Sequence, residues 1–232
     1  TPELYDLIPD MVWDGAKVGG KIYSVPTYKD SSLTQYYVFD DALVQKYGIQ
    51  LDSIKTLQDL DKPFYDMKKG EGRGFYPVQL TQGDGFNGFF NAYDDLTLGL
   101  NPIGVKVDDA SRKVVSVLEQ PDIMENLKLL HKWYQDGIIN PDAPTKTEGN
   151  PYRPFFSAQA FPGAEASWQI NAGIEKYVMV QIFGPIYSTS TIQGSLNAIS
   201  ANSKYKKEAL KYLQLVNTDP KLRNMLAFGE LG

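Results

Sequence analysis

The sequence predicts an α/β protein built on a mixed sheet with flanking helices. Three observations carry this. Extended, aromatic-rich segments alternate with segments whose apolar residues recur every three to four positions. The two kinds interleave along the chain rather than segregating into blocks. One antiparallel ribbon is inserted among them.

Residues 20–26, Gly-Lys-Ile-Tyr-Ser-Val-Pro, read as a short strand ended by Pro26, since proline has no N–H for a ladder. Residues 28–31 are polar and turn-like. Residues 35–39, Gln-Tyr-Tyr-Val-Phe, form a strand by aromatic and β-branched content. Asp40 then caps a helix over 41–47, which Gly48 stops. A second helix spans 56–69, with Leu57, Leu60, Phe64 and Met67 spaced by three, four and three. Pro63 lies inside it and predicts a kink or a break. Glycines 70, 72 and 74 end that helix, and residues 75–80 are extended.

Residues 83–85, Gly-Asp-Gly, are a turn, and 86–93 predict a short helix. Residues 104–107 and 113–117 alternate apolar and polar positions and form a hairpin across 108–111. Residues 122–135 predict the clearest helix, preceded by Pro121 and stopped by Gly137. Residues 140–154 read as a surface loop. Residues 155–161 lead into a small-residue stretch ending at Trp168. Residues 177–183 are a strand broken by Gly184-Pro185, and 195–200 are another. Residues 204–217 predict an amphipathic helix with Tyr205, Ala209, Tyr212, Leu213 and Val216 on one face. Asp219-Pro220 caps a last helix running to Phe228.

The 232 residues correspond to about one and a half domains of roughly 150 residues. The opening Thr1-Pro2-Glu3 and the fractional count suggest a piece of something longer. A net charge of −5 without a basic stripe argues against nucleic-acid binding, which needs cations to displace counterions from phosphates. No apolar run reaches the roughly 18 residues of a membrane span. With no cysteine, thiolate nucleophiles, zinc ribbons and iron–sulfur clusters are excluded. With one histidine, so are the common catalytic zinc sets. The positive anomaly is aromatic: 15 Tyr, 11 Phe and 3 Trp, a composition suited to a wet, polar ligand because tyrosine joins an apolar face to a polar tip.

Few motifs carry chemistry. Asp94-Asp95 follows Tyr93 in a polar segment and is open to four readings: an acid–base pair, calcium ligands, acceptors for ligand hydroxyls, or a solvated capping pair. His131 lies beside the apolar stripe of its helix and reads as a boundary residue packing on Leu127, since no Gly-x-Ser-x-Gly elbow accompanies it. Residues 70–74, Gly-Glu-Gly-Arg-Gly, follow a helix instead of opening one, so they are a turn and not a phosphate loop. Asp84, Asp108 and Asp109 lack calcium-loop spacing and read as turn residues. Trp168 follows Gly163, Ala164, Ala166 and Ser167, and is either a ring exposed in a cleft or a core residue. Tyr28, Phe86, Tyr93 and Tyr187 join it only if the fold brings them together.

Several segments together resemble one family: residues 20–26, the strand-then-helix of 35–48, Trp133-Tyr134-Gln135-Asp136-Gly137-Ile138-Ile139-Asn140-Pro141-Asp142, Phe155-Phe156-Ser157-Ala158-Gln159 with Ala164-Glu165-Ala166, and Asn197-Ala198-Ile199-Ser200 followed by Lys206-Lys207-Glu208-Ala209. Their order and spacing resemble the extracellular solute-binding proteins of ABC importers, in the carbohydrate-type family that includes maltose-binding protein, and within it the lipoproteins of Gram-positive Firmicutes. The resemblance implies a type II periplasmic-binding-protein-like fold of two α/β lobes, one truncated here, with the ligand in the cleft between them. It places residues 1–26 in lobe one up to its crossing strand, 27–193 in a complete lobe two, and 194–232 in the return to lobe one. The opening of lobe one, the lipobox cysteine and the C-terminal tail would lie outside this sequence.

The same resemblance implies a pure binder with no catalytic residue, cofactor or metal. Its partners would be an oligosaccharide and ABC permease subunits, with no nucleic acid. It implies a monomer on the extracellular face of the membrane, tethered only by an N-terminal lipid. Phe86 and Trp168 match the positions where family members stack rings on a sugar, and Tyr28 and Asp30 follow the crossing strand. The candidate ligand residues are thus Tyr28, Asp30, Phe86, Tyr93, Asp94, Asp95, Trp168, Tyr187 and Asn197. A glycoside-processing enzyme using Asp94 or Asp95, and a sensor or adhesion module on the same fold, stay open as alternatives.

Overall fold

The computed structural model describes residues 1–27, 32–84, 92–95 and 103–229. The chain divides into two compact units, residues 1–33 with 186–232, and residues 34–185.

The first unit opens on two helices that the apolar periodicity does not signal, α1 (Pro2–Leu7) and α2 (Asp10–Gly15). Each is six residues long, shorter than the window in which a helical period registers. Leu4, Ile8, Val12, Trp13 and Ala16 nevertheless form a core with Ile192. Residues 18–21 make a tight reversal in which Val18 and Lys21 exchange both backbone bonds, at 2.9 and 3.1 Å. Gly19 and Gly20 supply its positive φ angles of 57° and 75°, as a two-residue hairpin turn demands. The strand expected over 20–26 therefore shrinks to β1 (Val25–Pro26). Pro26 is its last residue, as expected, paired with Leu196, where an edge position needs no donor.

The second unit begins with β2 (Leu33–Asp40), buried at every position from Thr34 to Asp40. The Asp40 carboxylate accepts from the Ala42 N–H at 3.0 Å and starts α3 (Asp41–Tyr47), which ends at Gly48 in the left-handed region. The helix expected from residue 56 is corrected. Two 3-10 turns, Leu51–Ser53 and Gln58–Leu60, precede α4 (Asp61–Glu71). Pro63 then falls in the first turn, where its missing N–H has no helical acceptor to lose, so the break comes before the proline. Asp59 accepts the N–H groups of Lys55 and Thr56 at 2.9 and 2.8 Å, which hold its carboxyl below the usual range. Gly70 is helical and not a stop: a Cβ there would collide with the Tyr47 ring. That close approach lets the Tyr47 hydroxyl donate to Glu71 at 2.7 Å while Lys46 pairs with it at 2.5 Å.

β3 (Tyr93–Asp95), β4 (Ile103–Lys106) and β5 (Val114–Ser116) form an antiparallel sheet in that order. The expected hairpin is β4–β5, with Gly104 opposite Val115. Tyr93, expected in a helix, instead opens β3; residues 86–91 of that expectation lie outside the described residues. α5 (Pro121–Gln135) buries Ile123, Leu130 and Trp133. The segment 140–154 is not wholly superficial: Asn140 is buried, donating to the Leu80 carbonyl at 3.0 Å and accepting its N–H at 2.7 Å. β6 (Phe155–Gln159), α6 (Glu165–Ala172) and β7 (Tyr177–Ile186) follow. The sheet order is β6-β2-β7, with β2 antiparallel to β6 from Gln35 opposite Gln159 to Phe39 opposite Phe155. Val78 adds parallel bridges to Ile139 and Phe155, so the sheet is mixed and 75–80 touches it only there. β7 runs through Gly184-Pro185 instead of breaking, since proline is tolerated on an outer strand.

The chain returns to the first unit with α7 (Thr189–Gln193), begun by a Ser188–Thr191 capping box, and β8 (Leu196–Asn197), which is shorter than the expected 195–200 and pairs with β1. α8 (Lys206–Thr218) and α9 (Pro220–Phe228) close it. The face expected for α8 is corrected in part: Tyr205 and Tyr212 are 70% and 52% exposed, while Leu213 of that face packs on the core of the unit together with Leu210 and Gln214 is buried. α1 packs on α8, and it selects this stripe over the more aromatic one. Asp219 caps α9 as expected, accepting from Lys221 and Leu222 at 3.0 and 3.1 Å.

Phe64 is fully buried and Phe228 is 81% exposed. Phe64→Ala is expected to cost about 3–5 kcal/mol in denaturant unfolding, and Phe228→Ala no more than about 0.5. The Glu71 carboxyl titrates below its ordinary value of 4.5, chiefly because of Lys46 and then Tyr47. A lowered folded-state value stabilises above the ordinary value and is lost as pH falls through the folded one. The melting-temperature gap between wild type and Glu71→Gln should thus be widest near neutral pH and close in acid; a gap constant with pH would refute the linkage.

Candidate ligand-binding residues

α6 follows the carboxyl end of β6 through a turn in which Ala164 N–H bonds to the Phe161 carbonyl at 3.0 Å. Open α/β sheets generally bind ligands at such strand ends. Trp168 stands one turn into α6. Its ring meets Phe156 edge-on at 5.2 Å and 81°, and Phe156 meets Tyr177 the same way at 5.4 Å and 89°. The Arg153 guanidinium lies over the Phe156 ring at 4.2 Å. Trp168 packs against the core cluster of Tyr36, Val38, Phe156, Ala160, Ala164 and Tyr177, yet remains only partly buried. One edge of this tryptophan is thus anchored in the core and the remainder reaches solvent.

Tyr93 donates to the two carboxylate oxygens of Asp122 at 3.0 and 3.1 Å. Burial, aided by Asp122, pushes its phenol up to about 12, so it acts as a hydrogen-bond donor and not as a base. Asp94 is exposed and opposite Val105, and Asp95 holds the next register position, opposite Gly104. Tyr187 follows β7 and is exposed. Asn197 lies on β8 opposite Val25 and donates its amide to Thr27 Oγ1 at 3.0 Å. Tyr28, Asp30 and Phe86 lie outside the described residues. The structure thus groups Tyr93, Asp94 and Asp95 on β3, puts Trp168 on α6, and keeps Tyr187 and Asn197 in the first unit.

Sequence reasoning missed a cavity of about 270 Å³ inside the first unit, lined by Tyr5, Trp13, Ile22, Tyr23, Asn197 and Ile199 among others. Tyr5 stacks on Trp13 at 5.1 Å and 15°, and the Trp13 indole donates to the Tyr5 carbonyl at 3.0 Å. The sign in the sequence is an aromatic at 5 and another at 13, but they stand on two separate short helices, so no single element's pattern brings them together. Glu165, at the start of α6, buries one carboxylate oxygen without a hydrogen-bond partner, which nothing in the sequence signals. His131 does not take the expected boundary position: it is exposed and bonds Gln135 at 2.9 Å. Asp84 and Asp109 are turn residues, accepting from Thr81 and Ser111. Among the described residues no group of three or more His, Cys, Asp or Glu is placed to hold a metal, and no helix is long and apolar enough to cross a membrane.

No family model matches the chain. A carbohydrate ABC transporter substrate-binding protein of Streptococcus pneumoniae serotype 4 (strain ATCC BAA-334 / TIGR4) is 28% identical over 235 residues, which cover 99% of this chain and 47% of that protein. The crystal structure of the N-glycan transport solute-binding protein NgtS from Streptococcus pneumoniae superposes with a TM-score of 0.83 at 26% identity, covering 96% of this chain and 49% of that one. Its complex with Man5GlcNAc gives 0.73 at 27% identity, with 98% and 50% covered. The sugar-binding protein MalE of Xanthomonas citri shares the fold, with a TM-score of 0.54 at 17% identity over 91% and 52%. The chain therefore has the fold of the solute-binding proteins, as the resemblance implied, and spans about half the length of the curated relative it matches.

The Asn197–Thr27 bond ties β8 to the residue after β1. Alanine at 197 and valine at 27 should each lower the stability of the first unit by about 0.5–1.5 kcal/mol. The double variant should fall short of the sum by roughly 0.5 kcal/mol or more; strict additivity in denaturant unfolding would show that the bond contributes nothing.

Proposed function

We propose that this chain belongs to the substrate-binding component of an ABC importer, which captures an oligosaccharide outside the cell and delivers it to a permease. The observation that carries this reading is the likeness, along nearly the whole chain, to a solute-binding protein for N-glycan transport that binds Man5GlcNAc. The aromatic composition and the partly open ring of Trp168 support it: an indole face suits the C–H face of a sugar. Glycan fragments of the mannose and N-acetylglucosamine type are the proposed ligand class.

In this reading residues 1–26 and 194–232 contribute to one lobe, together with α7, whose Ile192 lies in the core of the first unit, and the rest of 27–193 forms the other. Trp168 supplies ring stacking and Asn197 a side-chain amide for hydroxyls. Tyr28, Asp30, Phe86, Tyr93, Asp94, Asp95 and Tyr187 remain proposed contacts. The protein acts as a monomeric binder without catalysis, held to the outer face of the membrane by a lipid.

Thermal-shift measurements on the full-length protein test the proposal. A mannose-rich oligosaccharide at 100 times its Kd should stabilise by about 2.7 kcal/mol, and peptides should give no shift. A shift with peptides and none with any glycan would refute it.

A further inference from the structure

Glu165 opens α6, and its Oε2 is sealed from solvent with no hydrogen-bond partner, the only such side-chain atom among the described residues. The residue as a whole is only partly buried. A carboxylate near a helix N-terminus gains from the helix dipole, but an exposed glutamate gains the same without burying an unpaired oxygen. The first turn does not use it for capping either: Ser167 Oγ bonds the Ala164 carbonyl at 3.0 Å, and the Ala166 N–H bonds the Gly163 carbonyl at 3.3 Å. A buried acceptor left without a donor is costly, and a native structure that keeps one calls for an explanation.

We propose that Glu165 is the hydroxyl-accepting partner of Trp168 in ligand binding, an inference that rests on the carbohydrate reading above. Positions three apart on a helix are neighbours on one face, so the carboxylate and the indole serve one ligand unit. An ionised carboxylate only accepts, through two oxygens, and its hydrogen bonds are stronger than neutral ones. A sugar offers the matching groups, hydroxyl donors at its edge and C–H bonds on its face. Glu165 reaches them by a change of rotamer, and the orphaned oxygen gains on binding the donor it lacks in the free state. The core cluster that holds Trp168 at its inner edge also holds Ala164, so the pair sits on a fixed base.

The test is calorimetric titration of the full-length protein with Man5GlcNAc, comparing wild type with Glu165→Gln and Glu165→Ala. Both variants should bind at least tenfold more weakly, with the unliganded melting temperature within about 4 °C of wild type. Wild-type binding with both variants within twofold of it would overturn this inference alone. Lost binding together with a fall of more than about 8 °C in the unliganded melting temperature would assign Glu165 to folding and overturn it as well. Failure of the wild type to bind any glycan would remove the carbohydrate reading and this inference with it.

Discussion

Phe155 is the residue on which the larger unit turns. Its ring meets Tyr37 at 5.2 Å, Phe39 at 5.0 Å and Phe64 at 4.8 Å, and Phe64 in turn meets Trp133 at 5.1 Å. One side chain thereby joins β2, α4 and β6, and reaches α5 through Phe64. The indole of Trp133 donates to Asp61 at 2.8 Å, which closes α5 onto the start of α4. Because side chains alternate across a strand, fixing Phe155 on this face sends Phe156 to the other. There Phe156 meets Tyr177, Trp168 and Arg153. A slip of one residue in β6 would exchange the two rings and dismantle both clusters. The position of α6, and of anything α6 binds, depends on this register.

Local signals in the sequence were legible where a single residue sets the backbone. Asp40 and Gly48 bracket α3, and Asp219 opens α9, because a cap needs only its own carboxylate or its own φ angle. The hairpin of β4 and β5 was legible from alternation. What escaped depends on tertiary choice. α1 and α2 are too short for a period. The stripe of α8 is chosen by the helix that packs on it: Leu213 of the expected face packs on the core with Leu210, while Tyr205 and Tyr212 stay exposed. Pro63 and Pro185 were read as interruptions, yet each lies inside an element at a position where the missing donor costs nothing. Of the candidate site, Trp168 was legible from its small neighbours. Glu165 was not, since an unpaired oxygen exists only once the chain is folded.

The acidic residues show how sparing the chain is with chemistry. Asp40, Asp59, Asp84, Asp109 and Asp219 each accept backbone N–H groups at the start of a turn or helix. In an acid-rich sequence, closely spaced aspartates invite a catalytic reading, but these are taken up by the backbone. Glu71 is spent holding α3 to α4 through Lys46 and Tyr47. Glu165 stands apart from all of them, because none of its duties is structural bonding through the sealed oxygen.

The three tryptophans differ in a way that has an optical consequence. Trp13 and Trp133 are 4% and 1% exposed, and each commits its indole N–H, to the Tyr5 carbonyl and to Asp61. Trp133 is thereby shielded from whatever arrives at the surface, while Trp13 lines the cavity of the first unit. Trp168 alone is partly open, with its environment set by one phenyl edge. The protein thus carries a native fluorophore at the position of interest, against a background of two buried ones, and needs no attached dye to report on events there.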